Sequence, residues 1–496
     1  MKFFLAIILL IVSTLSNGQR QGNIWYFGIK AGIDFSSGVP VAIYNGKTGT
    51  DVPLGNNQEG TSTISDSGGN LLFYTGGQTI WNRNHNVMPN GNGIMGGVSS
   101  TQSSIIVPKP GTNNLFFVFT SDEFQNYSLP RIPKGYRYSV VDMCQDSGKG
   151  DVLVSQKNVL LLDSSTEKLA ACEDRLGDGY WILGHKMFSS KFYTWHLTST
   201  GLSTPIVSDI GTFHGRSTYN SNLASGSAQG QIKFNPLGTK IALALGNYDP
   251  AIIDIFDFNN STGVVSNFCH IAIDSLLSKR SYGVEFSPDG SKLYAGVSGG
   301  MGGLFLYQFD LSTGDCNSIA ASAIKIYQPG ISNSITGMQL APNNKIYIVA
   351  QSDYLGCINS PNMLGMAANF TDSALLLSPG KNAYTLPAFI AGYKYHNKIA
   401  CDTTKYPPAI DSLCRLDIQT KVFPNPFNNV LFVDKKNTTC KVTLSIYNML
   451  GQLILQGKII NDGHNEITLA DFSAGIYYYK FISNGNTLLS GKILKQ

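Results

Sequence analysis

Charge is what this chain has little of: Asp, Glu, Lys and Arg make up 14% of its 496 residues, against roughly 25% in an ordinary soluble domain. So little charge favours strands and turns over helices. The net charge of +4 is too weak to draw the chain to nucleic acid or to an anionic bilayer. The eight cysteines, at 144, 172, 269, 316, 357, 401, 414 and 440, contain no Cys-x-x-Cys, and the seven histidines no His-x-x-x-His. Structural zinc therefore lacks its usual ligand spacing, and the sequence calls for no cofactor. Past the first dozen residues no apolar run approaches the roughly twenty needed to cross a bilayer as a helix.

What is abundant is glycine, at 52 residues, with 24 Tyr and 26 Phe, a composition that favours strands and tight turns. The chain opens Met1-Lys2, continues apolar from Phe3 to Val12, and then reads Ser13-Thr-Leu-Ser16-Asn-Gly18. This is the charge, apolar core and small-residue layout of a secretory signal, residues 1–18, cleaved before Gln19. No Cys follows that cut, so lipid attachment there is not expected. An exported chain is permitted disulfides. Spacing alone does not fix their connectivity, but Cys401 and Cys414 bracket the Pro-containing stretch Tyr406-Pro407-Pro408 and are the pair expected to clip it. Several of the others are equally well read as free buried thiols.

Three segments repeat at an interval of about fifty residues, a period that marks blades of a radial array. They are Gly230-Gln-Ile-Lys-Phe-Asn-Pro-Leu-Gly-Thr-Lys-Ile-Ala, Gly283-Val-Glu-Phe-Ser-Pro-Asp-Gly-Ser-Lys-Leu-Tyr and Gly337-Met-Gln-Leu-Ala-Pro-Asn-Asn-Lys-Ile-Tyr. Each reads as strand, tight turn, strand, with Pro288 presetting φ and Asp289-Gly290 supplying positive φ. Further strands follow at Ile252–Phe258 and Leu304–Leu311, giving four per unit. Thr63–Tyr74, Ser104–Thr120 and Tyr180–His196 fit the same plan. A seventh unit is expected from Asn23–Phe27 and Val39–Tyr44 joined by a late strand near Leu386–Ile390. The expected fold is all-β: a seven-bladed β-propeller over 23–396, with six or eight blades as the alternatives, a linker at 397–415, and a small immunoglobulin-like β-sandwich over 416–496.

The segment Phe286-Ser-Pro-Asp-Gly-Ser-Lys-Leu-Tyr294 resembles WD-like and TolB-like propellers. The order Trp81-Asn82, His85, Met88-Pro-Asn-Gly, Ser99-Ser-Thr-Gln-Ser103 resembles the N-terminal pattern of secreted propeller proteins. Fold alone does not choose a function for a propeller.

The tail carries Pro424-Asn425-Pro426, then Tyr447-Asn448-Met-Leu450-Gly451-Gln452, then Gly475-Ile476-Tyr477, and ends Gly491-Lys492-Ile-Leu-Lys495-Gln. Val442, Leu444 and Ile446 alternate with Thr443, Ser445 and Tyr447 as a half-buried strand does. In this order, the motifs resemble the type A C-terminal sorting domain of type IX secretion system cargo. The resemblance implies passage through the periplasm, engagement of the outer-membrane type IX machinery by the folded tail, and a mature protein either anchored at the outer cell surface or secreted.

Catalytic motifs along the rest of the chain lack the structural context they need. Gly296-Val-Ser298-Gly-Gly300 matches a nucleophile elbow, but a strand follows where a helix is required. Gly91-Asn-Gly93-Ile-Met-Gly96 has no strand before it and no helix after it. Glu59, Asp66, His85, His185, His214 and Glu285 are the residues that inner strands could gather at a propeller axis, and Trp81 and Trp195 the aromatics that would stack on sugars if exposed. Buried inter-blade tryptophans and backbone-satisfied histidines are the plainer reading. Asn126 and Asn369 sit in Asn-x-Ser/Thr contexts that mean little in a bacterial exported protein. The function read from the sequence is thus an exported, non-catalytic binding platform for an unknown protein or glycan; the alternative is an extracellular hydrolase or lactonase-like enzyme with its site in the channel.

Overall fold

A computed structural model of the chain describes residues 20–50, 59–124, 133–215, 226–246, 251–273, 279–299, 304–327, 336–349, 353–381, 384–395, 420–435, 442–449, 452–483 and 486–496. The signal segment, the 397–415 connector and the Cys401–Cys414 pair lie outside these residues. The chain divides into two compact units, Met1–Cys401 and Asp402–Gln496.

The first unit is a seven-bladed propeller. Among the described residues it holds seven antiparallel sheets, each a meander in chain order. Blade 1 has three strands, Ile24–Phe27, Ala31–Asp34 and Val41–Ile43, and blade 2 spans Ser62–Ser65 to Val87–Asn92. Blade 3 spans Ser104–Pro108 to Val159–Leu162, and blade 4 spans Leu169–Glu173 to Ile206–His214. Blades 5, 6 and 7 begin at Ile232–Phe234, Lys279–Phe286 and Met338–Leu340 and end at Val264–Ile273, Ile324–Tyr327 and Phe370–Leu376. The first strand of each blade from 2 to 6 packs beside the first strand of the next, which makes these strands the lining of the axis.

The ring closes through aromatic packing. Trp25 of blade 1 is fully buried against Phe35, Tyr347 of blade 7 and Phe389 of the late segment. That late segment departs from expectation. It forms no ladder strand with blade 1; Ala388 makes a single parallel bridge to Ser62 of blade 2, and Lys381 an antiparallel one to Ile29. Pro387 removes a ladder donor from the middle of it, which limits how far it can pair.

Turn chemistry fixes the hairpins between the first and second strands of the blades. Gly238 and Gly290 take φ of 66° and 72°, and Asn344 takes 61°. Asp289 does not take positive φ as expected; its carboxylate accepts from Ser287 Oγ at 2.7 Å and Ser291 N at 2.9 Å, holding the turn from the side. Asn235 does the same work through Thr239 N and Lys240 N. Cys269 in the outer strand of blade 5 is disulfide-bonded to Cys316, which opens the short helix Cys316–Ala321 of blade 6. Cys144 is disulfide-bonded as well, whereas Cys172 and Cys357 are free and buried.

The second unit is a two-sheet sandwich. Lys421–Phe423, Val430–Lys435 and Gly463–Thr468 form one sheet; Leu453–Ile460, Val442–Tyr447, Gly475–Ser483 and Asn486–Lys495 form the other in that order. The predicted alternation holds: Val442, Leu444 and Ile446 face a core shared with Leu431, Val433, Ile467, Phe481 and Ile493. No helix among the described residues is long and apolar enough to cross a membrane.

Candidate functional site

The innermost strand of a blade is a sheet edge, and its unpaired backbone groups need partners. Here side chains from other blades supply them. The Gln102 amide of blade 3 donates to Ile232 O at 3.0 Å and accepts from Ile232 N at 2.8 Å, on the inner edge of blade 5. Gln231 of blade 5 does the same to Met338 of blade 7, at 3.2 and 2.9 Å. One layer along, Glu285 accepts from Phe286 N and Leu340 N, both at 3.0 Å, and pairs with Lys233 at 3.1 Å, which also donates to Gln339. Lys233, Glu285 and Gln339 occupy one position in the three sequence repeats, immediately before Phe234, Phe286 and Leu340.

A second, buried cluster lies at and just before the start of the inner strands. Tyr282 donates to Glu59 Oε2 at 2.6 Å and Ser99 to Glu59 Oε1 at 2.7 Å. Thr101 donates to Glu167 Oε2 at 2.7 Å, and its hydroxyl lies 3.1 Å from that of Tyr282, so two carboxyls are joined through two hydroxyls. Burial, then the charge of Glu167, raises the pKa of Glu59; burial also raises that of Glu167 against the hydrogen bonds it accepts from Phe124 and Thr101. Lys168, fully buried, donates to the carbonyls of Ala228, Gln229 and Gly230, and burial lowers its pKa to about 7. Sequence reasoning named Glu59 and Glu285 but missed Glu167, Lys168, Thr101 and Tyr282.

Of the other expected axial residues, Asp66 and His85 lie elsewhere, whereas His185 and His214 are close enough to Lys168 for its charge to act on both. Asp66 closes the first hairpin of blade 2, accepting from Gly68 N and Asn70 N. His85 sits in a later turn of the same blade, bonded to Asn45 and Tyr74. His185 and His214 stack with ring centroids 3.7 Å apart, both buried; burial lowers both pKa values, that of His185 to about 3. Trp81 stacks on Tyr74, and Trp195 packs edge-on against Tyr136; both are buried, so neither offers a face to a sugar. Ser298 lies inside the strand Lys292–Gly299, not on a strand-to-helix elbow. No group of three or more metal-ligating side chains occurs among the described residues.

A cleft of about 490 Å³ opens on the propeller, lined by Pro110–Asn113 of blade 3, Gly177, Asp178 and Tyr180, and Thr198-Ser199 of blade 4. Its walls are turns and the strand ends beside them, so Thr112, Asn113, Asp178, Thr198 and Ser199 bring amide, carboxylate and hydroxyl groups to one opening. Its volume falls within the range of small-molecule sites.

In the sandwich the first and last motifs form one hydrogen-bonded unit. Asn425 donates to Lys492 O at 3.0 Å and accepts from Leu494 N at 2.9 Å; Phe427 N donates to Leu494 O, and Gln496 N to Phe427 O. Lys495 is buried, its ammonium donating to Leu469 O at 2.6 Å and Ala470 O at 3.0 Å. Asn448 and Gln452 close a turn on each other, and Tyr477 donates to Ser473 O. Pro424 and Pro426 flank the clamp, while Gly475 and Ile476 open the strand that pairs with the chain's last one. Leu450 and Gly451 lie outside the described residues.

Residues 421–496 match the family described as the secretion system C-terminal sorting domain. A comparison with curated proteins finds no match. Among solved structures, PorZ of Porphyromonas gingivalis, a surface component of the type IX secretion system, is 12% identical with a TM-score of 0.37, over 94% of this chain. The chain spans 62% of the length of that structure. The periplasmic gluconolactonase of Pseudomonas aeruginosa is 10% identical with a TM-score of 0.34, over 74% of this chain and 89% of its own. A Lactobacillus plantarum protein is 10% identical with a TM-score of 0.38, over 80% and 95%. At these similarities the likeness says nothing of activity. The tail does carry an address: residues 421–496 are a secretion system sorting domain, and they make this propeller chain a type IX cargo exported to the cell surface or beyond it.

Proposed function

We propose that the exported propeller is a non-catalytic binding module and that the 490 Å³ cleft between blades 3 and 4 receives its ligand, a polar group of glycan size. The observation that carries this reading is the use of the axial side chains: Gln102 and Gln231 are spent on inner edges two blades away, Glu285 on the inner edge of the next blade, and Lys233 on Glu285 and Gln339. A channel so filled is scaffolding, which leaves the turns to bind, as loops on a rigid frame commonly do. The test is a glycan panel measured by calorimetry with the purified chain, against Asp178→Ala/Thr198→Ala. Loss of a detected ligand in the variant supports the cleft, and unchanged binding removes it.

A second reading rests on one feature, the Glu59–Tyr282–Thr101–Glu167 chain beside Lys168. Groups whose protonation is displaced toward neutrality are what general acid–base chemistry uses. Hydrolysis of lactone or ester substrates that Glu59→Gln and Glu167→Gln each abolish, with the fold retained, would establish the enzyme in place of the binding module.

A further inference from the structure

The motif residues of the sorting domain divide into two groups by what they touch. Asn425, Tyr477 and Lys495 are engaged inside the sandwich, as the hydrogen bonds above show. The side chains of Tyr447 and Lys492 are not: they belong to a row that crosses all four strands of the larger sheet on its solvent side. Leu453 pairs with Tyr447, Tyr447 with Tyr478, and Tyr478 with Lys492. Leu453, Tyr478 and Leu494 are 44%, 47% and 38% exposed, and the Lys480 ammonium stands 5.3 Å from the Tyr447 ring centroid. The alternate residues, Leu444, Ile446, Phe481 and Ile493, fill the core, so the row is the outward half of the same alternation.

The solvent side of this sheet carries exposed Lys480 and Lys492, and its four strands contain not one Asp or Glu. The acidic residues described in the unit, Asp434, Asp462, Glu466 and Asp471, lie on the other sheet or in connections. An exposed aromatic and aliphatic centre rimmed by cations is the composition of an interaction surface, not of an idle face. Its charge is complementary to an acidic partner.

We propose that this face, centred on Tyr447 and Tyr478 and rimmed by Lys480 and Lys492, is where the outer-membrane export machinery grips the folded tail, through a protein surface that is apolar at its centre and acidic around it. The proposal rests on the tail being the export signal. Asn425 and Lys495 then serve recognition only by holding the last strand in register beside the Tyr478 strand.

The experiment is fractionation of cells expressing the full chain as wild type, Tyr478→Ala, Lys480→Glu/Lys492→Glu, Lys480→Arg/Lys492→Arg, Glu466→Lys, or without residues 416–496. Thermal melting of each purified chain checks the fold. The exported fraction should fall about tenfold or more for Tyr478→Ala and the double Glu variant, as loss of an interfacial hot spot would give, with melting unchanged. The double Arg variant and Glu466→Lys, on the opposite sheet, should export normally. Normal export of Tyr478→Ala and the double Glu variant while the tail-less chain stays in the periplasm overturns this face and leaves the export reading standing. Equal loss in Glu466→Lys also overturns it, because the effect would not belong to one face. Export of the tail-less chain overturns the export reading and the proposal together.

Discussion

Lys233 and Glu285 show what an axial residue of this propeller does. Each is nearly inaccessible to solvent; the two pair with each other, Glu285 also accepts from Leu340 N on the inner edge of blade 7, and Lys233 donates to Gln339 of that same strand. Lys233→Ala leaves a carboxylate buried without its cation, a loss of about 3–5 kcal/mol, to be read from denaturant unfolding. Lys233→Met/Glu285→Gln should recover much of that, because no charge is left stranded. The His185–His214 stack makes a different prediction. His185 has a folded pKa near 3, below its unfolded value, so its contribution is full above about pH 6.5 and is lost as pH falls, by about 2 kcal/mol at pH 5. Glu59 and Glu167, raised in the folded state, act with the opposite sign in the same window. The measurement is therefore the stability difference between wild type and His185→Phe at pH 7 and pH 5, expected to move in the variant's favour on acidification. The axial place of Glu285 was legible in the sequence; Lys233 and Gln339 fill the same column of the repeats but were not singled out. Glu167 and Lys168 were not legible: blade 4 turns on Asp174-Arg-Leu-Gly-Asp178, without the Pro-x-Gly signature, and its inner strand went unrecognised.

At the level of elements, the hairpins carry the propeller and its closures adjust to them. Strands flanking Pro-x-Gly turns were readable because turn chemistry and alternation agree. The closing segment was not, because Ala388 pairs with the following blade rather than with the blade it completes. Nor was the Cys269–Cys316 bond, which depends on a short helix inserted in blade 6. Its sequence separation of 47 residues corresponds to about 4 kcal/mol of constraint on the unfolded chain. Cys269→Ser/Cys316→Ser should accordingly lower the denaturant midpoint of the propeller, and a midpoint unchanged from that of the oxidised wild type would show that the blades hold without it. In the sandwich, the alternation of Val442 to Tyr447 gave the sheet face correctly, while the burial of Lys495 was hidden by its position one residue from the terminus.

For the whole molecule, two units share the work: a propeller whose axis is filled by its own cross-blade bonds, and a sandwich that carries the export address. Units with separate cores fold separately, so losing one should leave the other intact. The most direct test is to express the chain without residues 416–496 and to locate it by fractionation, with protease resistance reporting the fold. The account predicts a folded propeller held in the periplasm. Arrival of the truncated chain at the cell surface or in the medium at wild-type levels, without lysis, would contradict it.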